Sequence, residues 1–142
     1  DYQGQYEPIL YGWKDGTDHF WCGARDQGDV WFFDKPSRND LHPTMKPVAL
    51  VERAIRNSSK SRGVILDPFG GSGSTMIAAE RLGRRARLVE LDPKYVDVVV
   101  QRWQAYASGE AKLEETGETY AEVDARLRPS VRSHAEVRGV QQ

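Results

Sequence analysis

Val64-Ile65-Leu66-Asp67-Pro68-Phe69-Gly70-Gly71-Ser72-Gly73-Ser74-Thr75 is the stretch that decides the fold. Val64 to Leu66 is a short apolar run of the kind that forms a buried parallel strand. Glycines follow at 70, 71 and 73, where a backbone without β-carbons can pass close to a ligand. A helix is predicted from about Ser74 to Leu82, with Gly83 as its left-handed C-terminal cap. Arg87 to Leu91 reads as a second parallel strand. Glu90 ends it about 20 residues beyond the turn, where a carboxylate can accept hydrogen bonds from two ribose hydroxyls. Turn and acid together make a nucleoside-binding frame. The bland alternative is a glycine turn that merely packs a helix on a sheet; the agreement of strand, turn, helix and acid argues against it.

The frame alone does not name the nucleotide. Met76 stands where a dinucleotide fingerprint expects its third glycine, and no lysine follows the glycines as in a phosphate-binding loop. Asp67 opens the turn instead. An acid there repels a pyrophosphate and attracts an ammonium. S-adenosylmethionine has an ammonium, a sulfonium and no phosphate, so charge favours it over a dinucleotide.

Downstream, Asp92 can N-cap a helix with Pro93 at its first position, and Val96, Val99, Val100 and Trp103 form that helix's inner stripe. Strand, loop, helix, strand, helix is an α/β unit with a right-handed crossover. Thr119 and Glu122 match a capping box for a short helix through Leu127. From Arg128 on, a loose tail is expected.

Upstream, Pro36 to Pro47 is a polar, proline-rich loop ending in HPTMKP. Pro47 suits a first helical turn, and Pro47, Leu50, Val51, Ala54 and Ile55 repeat as one helical face. Tyr6 to Trp13 (YEPILYGW) and Val30 to Phe33 read as extended strands. A turn at Asp15 to Asp18 and an aromatic irregular stretch separate them. The predicted organisation is one domain over 1–127, comprising a strand pair with its aromatic loop (6–35) and the α/β unit with its preceding loop (36–106), then a flexible tail over 128–142.

The 142 residues suffice for one hydrophobic core, and 39% hydrophobic with 29% charged residues fits a globular protein. No apolar run approaches the roughly 20 residues of a membrane helix, and none of the chain reads as a signal peptide. A net charge of −1 gives no global hint of a polyanionic partner. The single cysteine, Cys22, excludes an internal disulfide and fits a reducing cytoplasm. The chain starts at Asp1 and has methionines only at 45 and 76, so it reads as a fragment or processed piece.

These residues resemble a known family. DPFGGSGST is similar to motif I of the DNA amino-methyltransferases, VELDPKY to the acidic motif that follows, HPTMKP to motif X and YEPILYGWK to motif VIII. Motif X directly upstream of motif I resembles the permuted "beta" order, and SRNDLHPTMKP is close to prophage-type and ParB-associated modification methylases. The resemblance spans roughly Tyr6 to Trp103. It implies a partial Rossmann-like methyltransferase fold, S-adenosylmethionine as cofactor and double-stranded DNA as partner. It further implies that Asp67, Pro68, Phe69, Gly70, Gly71, Ser72 and Gly73 hold the methionine moiety. Glu90, with Leu91 and Asp92 beside it, would hold the ribose. Thr44 and Lys46 lie where motif X approaches the methionine carboxylate, which suits a lysine cation, although a solvated lysine is an equal reading. Phe69 would border the cofactor or target pocket, and His42 would fix its loop.

One departure is decisive. The family's catalytic motif, Asp/Asn/Ser-Pro-Pro-aromatic, is absent. In the permuted order it is expected upstream of Asp1, so no catalytic residue is assigned here. By resemblance, that motif holds the exocyclic amine, whose lone pair is delocalised into the ring, while an aromatic residue stacks on the flipped base. Positioning for in-line attack on the sulfonium methyl then carries much of the rate, with no metal required. N6 of adenine is favoured over N4 of cytosine. Carbon-5 methylation would need a nucleophilic cysteine, and Cys22 reads as a small packed residue instead.

Trp21, Arg25, Trp31, Lys35 and Arg38 cluster ahead of motif X, near the family's target-recognition zone. Arg25, Lys35 and Arg38 are the candidates for DNA phosphates. For each singly, packed tryptophans and solvated charges are the favoured reading. Arg81, Arg84, Arg85 and Arg87 read as surface around a helix C-terminus. Two other classes stay open: a non-catalytic binding module, and a different Rossmann-type enzyme. A separate N-terminal catalytic segment or a second copy is the protein partner that the first reading implies.

Overall fold

The computed structural model describes residues 6–34 and 45–127. Its elements are α1 (Val48–Ser58), β1 (Val64–Asp67), α2 (Ser74–Arg81), β2 (Arg85–Leu88), α3 (Pro93–Ala107) and α4 (Tyr120–Leu127). β1 and β2 are parallel, with Val64, Ile65, Leu66 and Asp67 opposite Arg85, Ala86, Arg87 and Leu88. α2 is the crossover between them. Gly73, at φ 79°, turns the chain into α2, and Gly83, at φ 64°, turns it out. Both are left-handed conformations that glycine adopts without a β-carbon clash.

The core lies on one face of this pair. Ala78 and Ala79 of α2 are fully buried and small enough to bring α2 close to Ile65 and Ala86, with Ile55 of α1 completing the cluster. The other face is bare: Val64 and Leu66 are 54% and 69% exposed, beside the exposed Arg85 and Arg87. α3 packs on α2 through Val99, and the Trp103 indole donates to Glu80 at 3.1 Å. Asp92 caps α3 by accepting from the Lys94 N–H, with Pro93 in its first turn. The capping box of α4 closes in both directions: Glu122 accepts from the Thr119 N–H at 2.7 Å, and the Thr119 hydroxyl accepts from the Glu122 N–H at 3.2 Å. These hydrogen bonds, the Thr119 backbone's first, hold the Glu122 carboxyl below the usual glutamate range.

Several expectations need correction. Tyr6 to Trp13 and Val30 to Phe33 form no strands. Extended segments become strands only against a ladder partner, and among the described residues neither has one. Tyr6 and Leu10 are 86% and 99% exposed. The aromatic rings gather among themselves instead: Trp13 stacks on His19 at 4.3 Å, and the Tyr11 hydroxyl meets His19 Nε2 at 2.7 Å. β2 runs from Arg85 to Leu88 rather than from Arg87 to Leu91, because the pairing already begins where the Arg85 N–H meets the Gly63 carbonyl. Glu90 therefore lies beyond the strand, on the connection into α3. Pro47 sits at the N-cap of α1, just ahead of the helix. Ala54 is exposed and Asn57 takes its place in the interior, its amide bonded to Gln27. Val96 is 41% exposed and contributes little to the α3 stripe. The expected tail, 128–142, lies outside the described residues.

Among the described residues, no helix is long and apolar enough to cross a membrane, and no His, Cys, Asp and Glu group is placed to hold a metal. The sheet also ends abruptly. Among the described residues only β1 and β2 belong to it, and there the far edge of β1 has no ladder partner next to the bare Val64 and Leu66. Flat exposed edges recruit other chains. The purified 142-residue chain is therefore expected to self-associate, and light scattering should report a mass of two copies or more. A monomer whose Val64 to Leu66 amides all resist hydrogen exchange would contradict this.

Candidate functional site

Four chain segments converge at the C-terminal end of β1. Asp67 ends the strand and folds back on the turn it opens: Oδ1 accepts from the Phe69 N–H at 3.0 Å and Oδ2 from the Thr75 hydroxyl at 2.6 Å. The turn is closed by the Gly73 N–H on the Gly70 carbonyl and tied to the β2 side by the Gly70 N–H on the Val89 carbonyl. Gly70 and Gly73 sit in tight space. A β-carbon at Gly70 would meet Leu88 Cδ2 at 3.2 Å, and one at Gly73 would meet both Val99 methyls at 3.0 Å.

Glu90 faces the same turn. One carboxylate oxygen accepts from the Gly71 N–H at 2.6 Å and the other from the Asp92 N–H at 3.0 Å. A single side chain thus clamps the glycine turn to the entry of α3. From beneath, the Arg102 guanidinium of α3 donates to the Ser72 carbonyl, and burial lowers its pKa.

The fourth segment is the one that leads into α1. The Ser74 hydroxyl donates to the Lys46 carbonyl at 2.8 Å, fixing that backbone against the start of α2, while the Lys46 ammonium reaches out to Glu7. A cavity of about 220 Å³ opens here between Met45, Lys46 and Val51 on one side and Asp67, Phe69 and the glycine turn on the other. That is below the ~300 Å³ of a whole small-molecule site, and of a size for one end of an extended ligand. A larger polar cleft of about 420 Å³ runs along α1 past Gln27, Glu52, Arg53 and Arg56. It shares no lining residue with the first.

The fold thus brings Lys46, Asp67, Phe69, Gly70, Gly71 and Ser72 around one cavity. Glu90 joins them through Gly71. Gly73 is buried behind the turn, while Pro68, Leu91 and Asp92 are exposed beside it, Leu91 at 97%. Thr44, Lys35, Arg38 and His42 lie outside the described residues. Arg25 is exposed on the irregular stretch. Trp31 is half-buried with the Arg53 guanidinium 4.3 Å over its ring. Cys22 packs on the end of α1: its N–H donates to the Asn57 carbonyl at 2.8 Å and its thiol to the Arg56 carbonyl at 3.0 Å. It lines neither cavity. Arg84 is a correction. Rather than standing in solvent, it is half-buried and ties the α2–β2 turn to the Ser59 carbonyl at 3.0 Å.

Two participants carry no sequence signal of their roles. Arg102 is visible only once α3 is wrapped, because Val99 and Arg102 then share a face of the helix. Glu7 lies 39 residues from its partner.

Comparison with known proteins gives the family. A family model described as a DNA methylase, covering the N6 and N4 enzymes, matches residues 2–101. The type II methyltransferase M.ScaI of Streptomyces caespitosus is 40% identical over 92 residues, 59% of this chain and 30% of that protein. The type II methyltransferase M2.DpnII of Streptococcus pneumoniae is 45% identical over 64 residues, 45% of this chain and 24% of that protein. The chain thus spans less than a third of either relative. Among solved structures, the M1.HpyAVI–SAM complex superposes with a TM-score of 0.51 at 28% identity, over 58% of this chain and 42% of that one. The shared fold is that of the SAM-dependent DNA methyltransferases, and this chain belongs to the N6/N4 DNA methylase family.

Proposed function

We propose that this chain supplies the S-adenosylmethionine-holding part of a DNA methyltransferase that acts on an exocyclic amine, N6 of adenine in preference to N4 of cytosine. The observation that carries the reading is one cavity edged by a lysine, an aspartate and a glycine turn, with Glu90 braced on that turn. The donor set suits the cofactor's amino-acid end: a cation in Lys46 for its carboxylate and an anion in Asp67 for its ammonium. Each oxygen of Asp67 accepts one hydrogen bond within the turn. A carboxylate oxygen has a second lone pair, so the loop bonds orient the side chain without exhausting it. Glu90, braced on the same turn through the Gly71 N–H, would meet the ribose hydroxyls.

When bound, S-adenosylmethionine supplies an electrophilic methyl group. The residues of this chain hold and aim it. Arg102 fixes the Ser72 carbonyl, and the buried Gly73–Val99 contact fixes the turn's exit. Phe69, 85% exposed at the mouth, would border the target. Thr44 joins Lys46 in this proposal, as do Pro68, Leu91 and Asp92 around the loop. Arg25, Lys35 and Arg38 would meet phosphates of double-stranded DNA. The amine-holding Asp/Asn/Ser-Pro-Pro-aromatic motif is not among the 142 residues. That favours one second reading, a non-catalytic module that binds the cofactor alone.

Calorimetric titration separates this frame from other nucleotide sites. S-adenosylhomocysteine is expected to bind with one site per chain, and NAD is expected to give no heat. Binding of NAD without binding of S-adenosylhomocysteine would overturn the reading.

A further inference from the structure

The Lys46–Glu7 ion pair occupies a position that the proposed cofactor needs. Lys46 is the only cation among the described residues that line the 220 Å³ cavity. Its backbone is pinned by the Ser74 hydroxyl, so only the flexible side chain remains to choose a partner. The partner it has is Glu7, on the extended segment that forms no ladder and whose residues are exposed throughout. Both side chains are well exposed, at 50% and 71%. A pair of this kind is weak, and an incoming anion can exchange with it.

We propose that Glu7 is a built-in competitor for the cofactor's amino-acid carboxylate, holding the Lys46 ammonium until a ligand carboxylate displaces it. The inference rests on the reading of the cavity given above. One anion leaves Lys46 as another arrives, so the local charge balance returns to that of the empty pair. The exchange has two consequences. Ligands that carry a carboxylate must compete with Glu7, while ligands that lack one need not. Displacement also removes one of the contacts that hold the Tyr6 to Trp13 segment, so that segment is loosened when the amino-acid end is filled.

The test uses two ligands on the full 142-residue chain. S-adenosylhomocysteine carries the carboxylate; 5′-methylthioadenosine keeps the nucleoside and thioether and lacks the amino acid. Glu7→Gln is expected to tighten S-adenosylhomocysteine by about two- to fivefold, the range of an exposed ion pair, and to leave 5′-methylthioadenosine unchanged. In a Lys46→Ala background the gain should vanish. Proteolysis near Trp13 should quicken when S-adenosylhomocysteine is added and not when 5′-methylthioadenosine is. Unchanged or weaker S-adenosylhomocysteine binding by Glu7→Gln would overturn the competition while leaving the cavity assignment standing. So would an equal gain for both ligands, or a gain that survives Lys46→Ala. If neither ligand binds the unmodified chain, the cavity assignment falls, and this inference falls with it.

Discussion

Replacing Glu90 with alanine is expected to weaken S-adenosylhomocysteine binding by about tenfold to a hundredfold, while Arg85→Ala leaves it unchanged. Under the proposed function, Glu90 supplies the acceptors for the ribose, and a hydrogen bond to a charged group is worth about 1.5–3 kcal/mol. Independently of any ligand, Glu90 is the acceptor for the Gly71 and Asp92 N–H groups. Alanine leaves both donors to water and loosens the turn that the ligand must meet. Arg85 is exposed on the opposite face of the sheet and serves as the control. Arg84 would be a poor one, because its bonds to Ser59 make it structural. Glu90→Gln keeps one acceptor oxygen and should fall between the two. Calorimetry reads the affinities, and circular dichroism checks that the fold survives. Affinity for Glu90→Ala equal to that of the unmodified chain would remove Glu90 from the site.

The second large effect is an absence of turnover. The 142-residue chain is expected to transfer no methyl group to mixed-sequence duplex DNA, whatever its affinity for the cofactor. Under the proposed function its residues hold the donor; the motif that would hold the amine is not among them. Without a bound amine, the in-line geometry that carries most of the rate has nothing to act on. Tritium transfer from labelled S-adenosylmethionine is the measurement. Incorporation above the no-protein control, abolished by Asp67→Ala, would show that another residue of this chain presents the base. Restoration of activity on adding a polypeptide that bears the Pro-Pro-aromatic motif would support the division of labour.

The α/β unit was legible in the sequence because its signals are local. Gly83 announces a left-handed cap, Asp92-Pro93 a helix start, and Thr119 with Glu122 a capping box, and the structure has each of them there. What was not legible depends on partners far away in the chain. YEPILYGW has strand composition, but strand is a property of a pair, and the described residues offer it no edge. The end of β2 was misplaced because apolar alternation continues through Val89 and Leu91, whereas the backbone has already turned to the glycine loop, with the Gly70 N–H on the Val89 carbonyl. At the cavity, Asp67 and Glu90 stood out by their places beside the glycines. Arg102 and Glu7 act through the folded arrangement, at distances no motif spans.

The cross-strand pairing of Val64 with Arg85 and Leu66 with Arg87 also bears on how copies of the chain would add to one another. The two edges of the sheet differ in kind. β1 carries apolar Val64 and Leu66 at its outward positions, while β2 carries an arginine at each of its own. Joining β1 to β1 of a second copy is isologous: a two-fold axis uses up both apolar edges and growth stops at two. Joining β1 to β2 is heterologous and would propagate as an open filament. Charged edges resist such additions, so Arg85 and Arg87 tilt assembly towards the closed pair and against fibre.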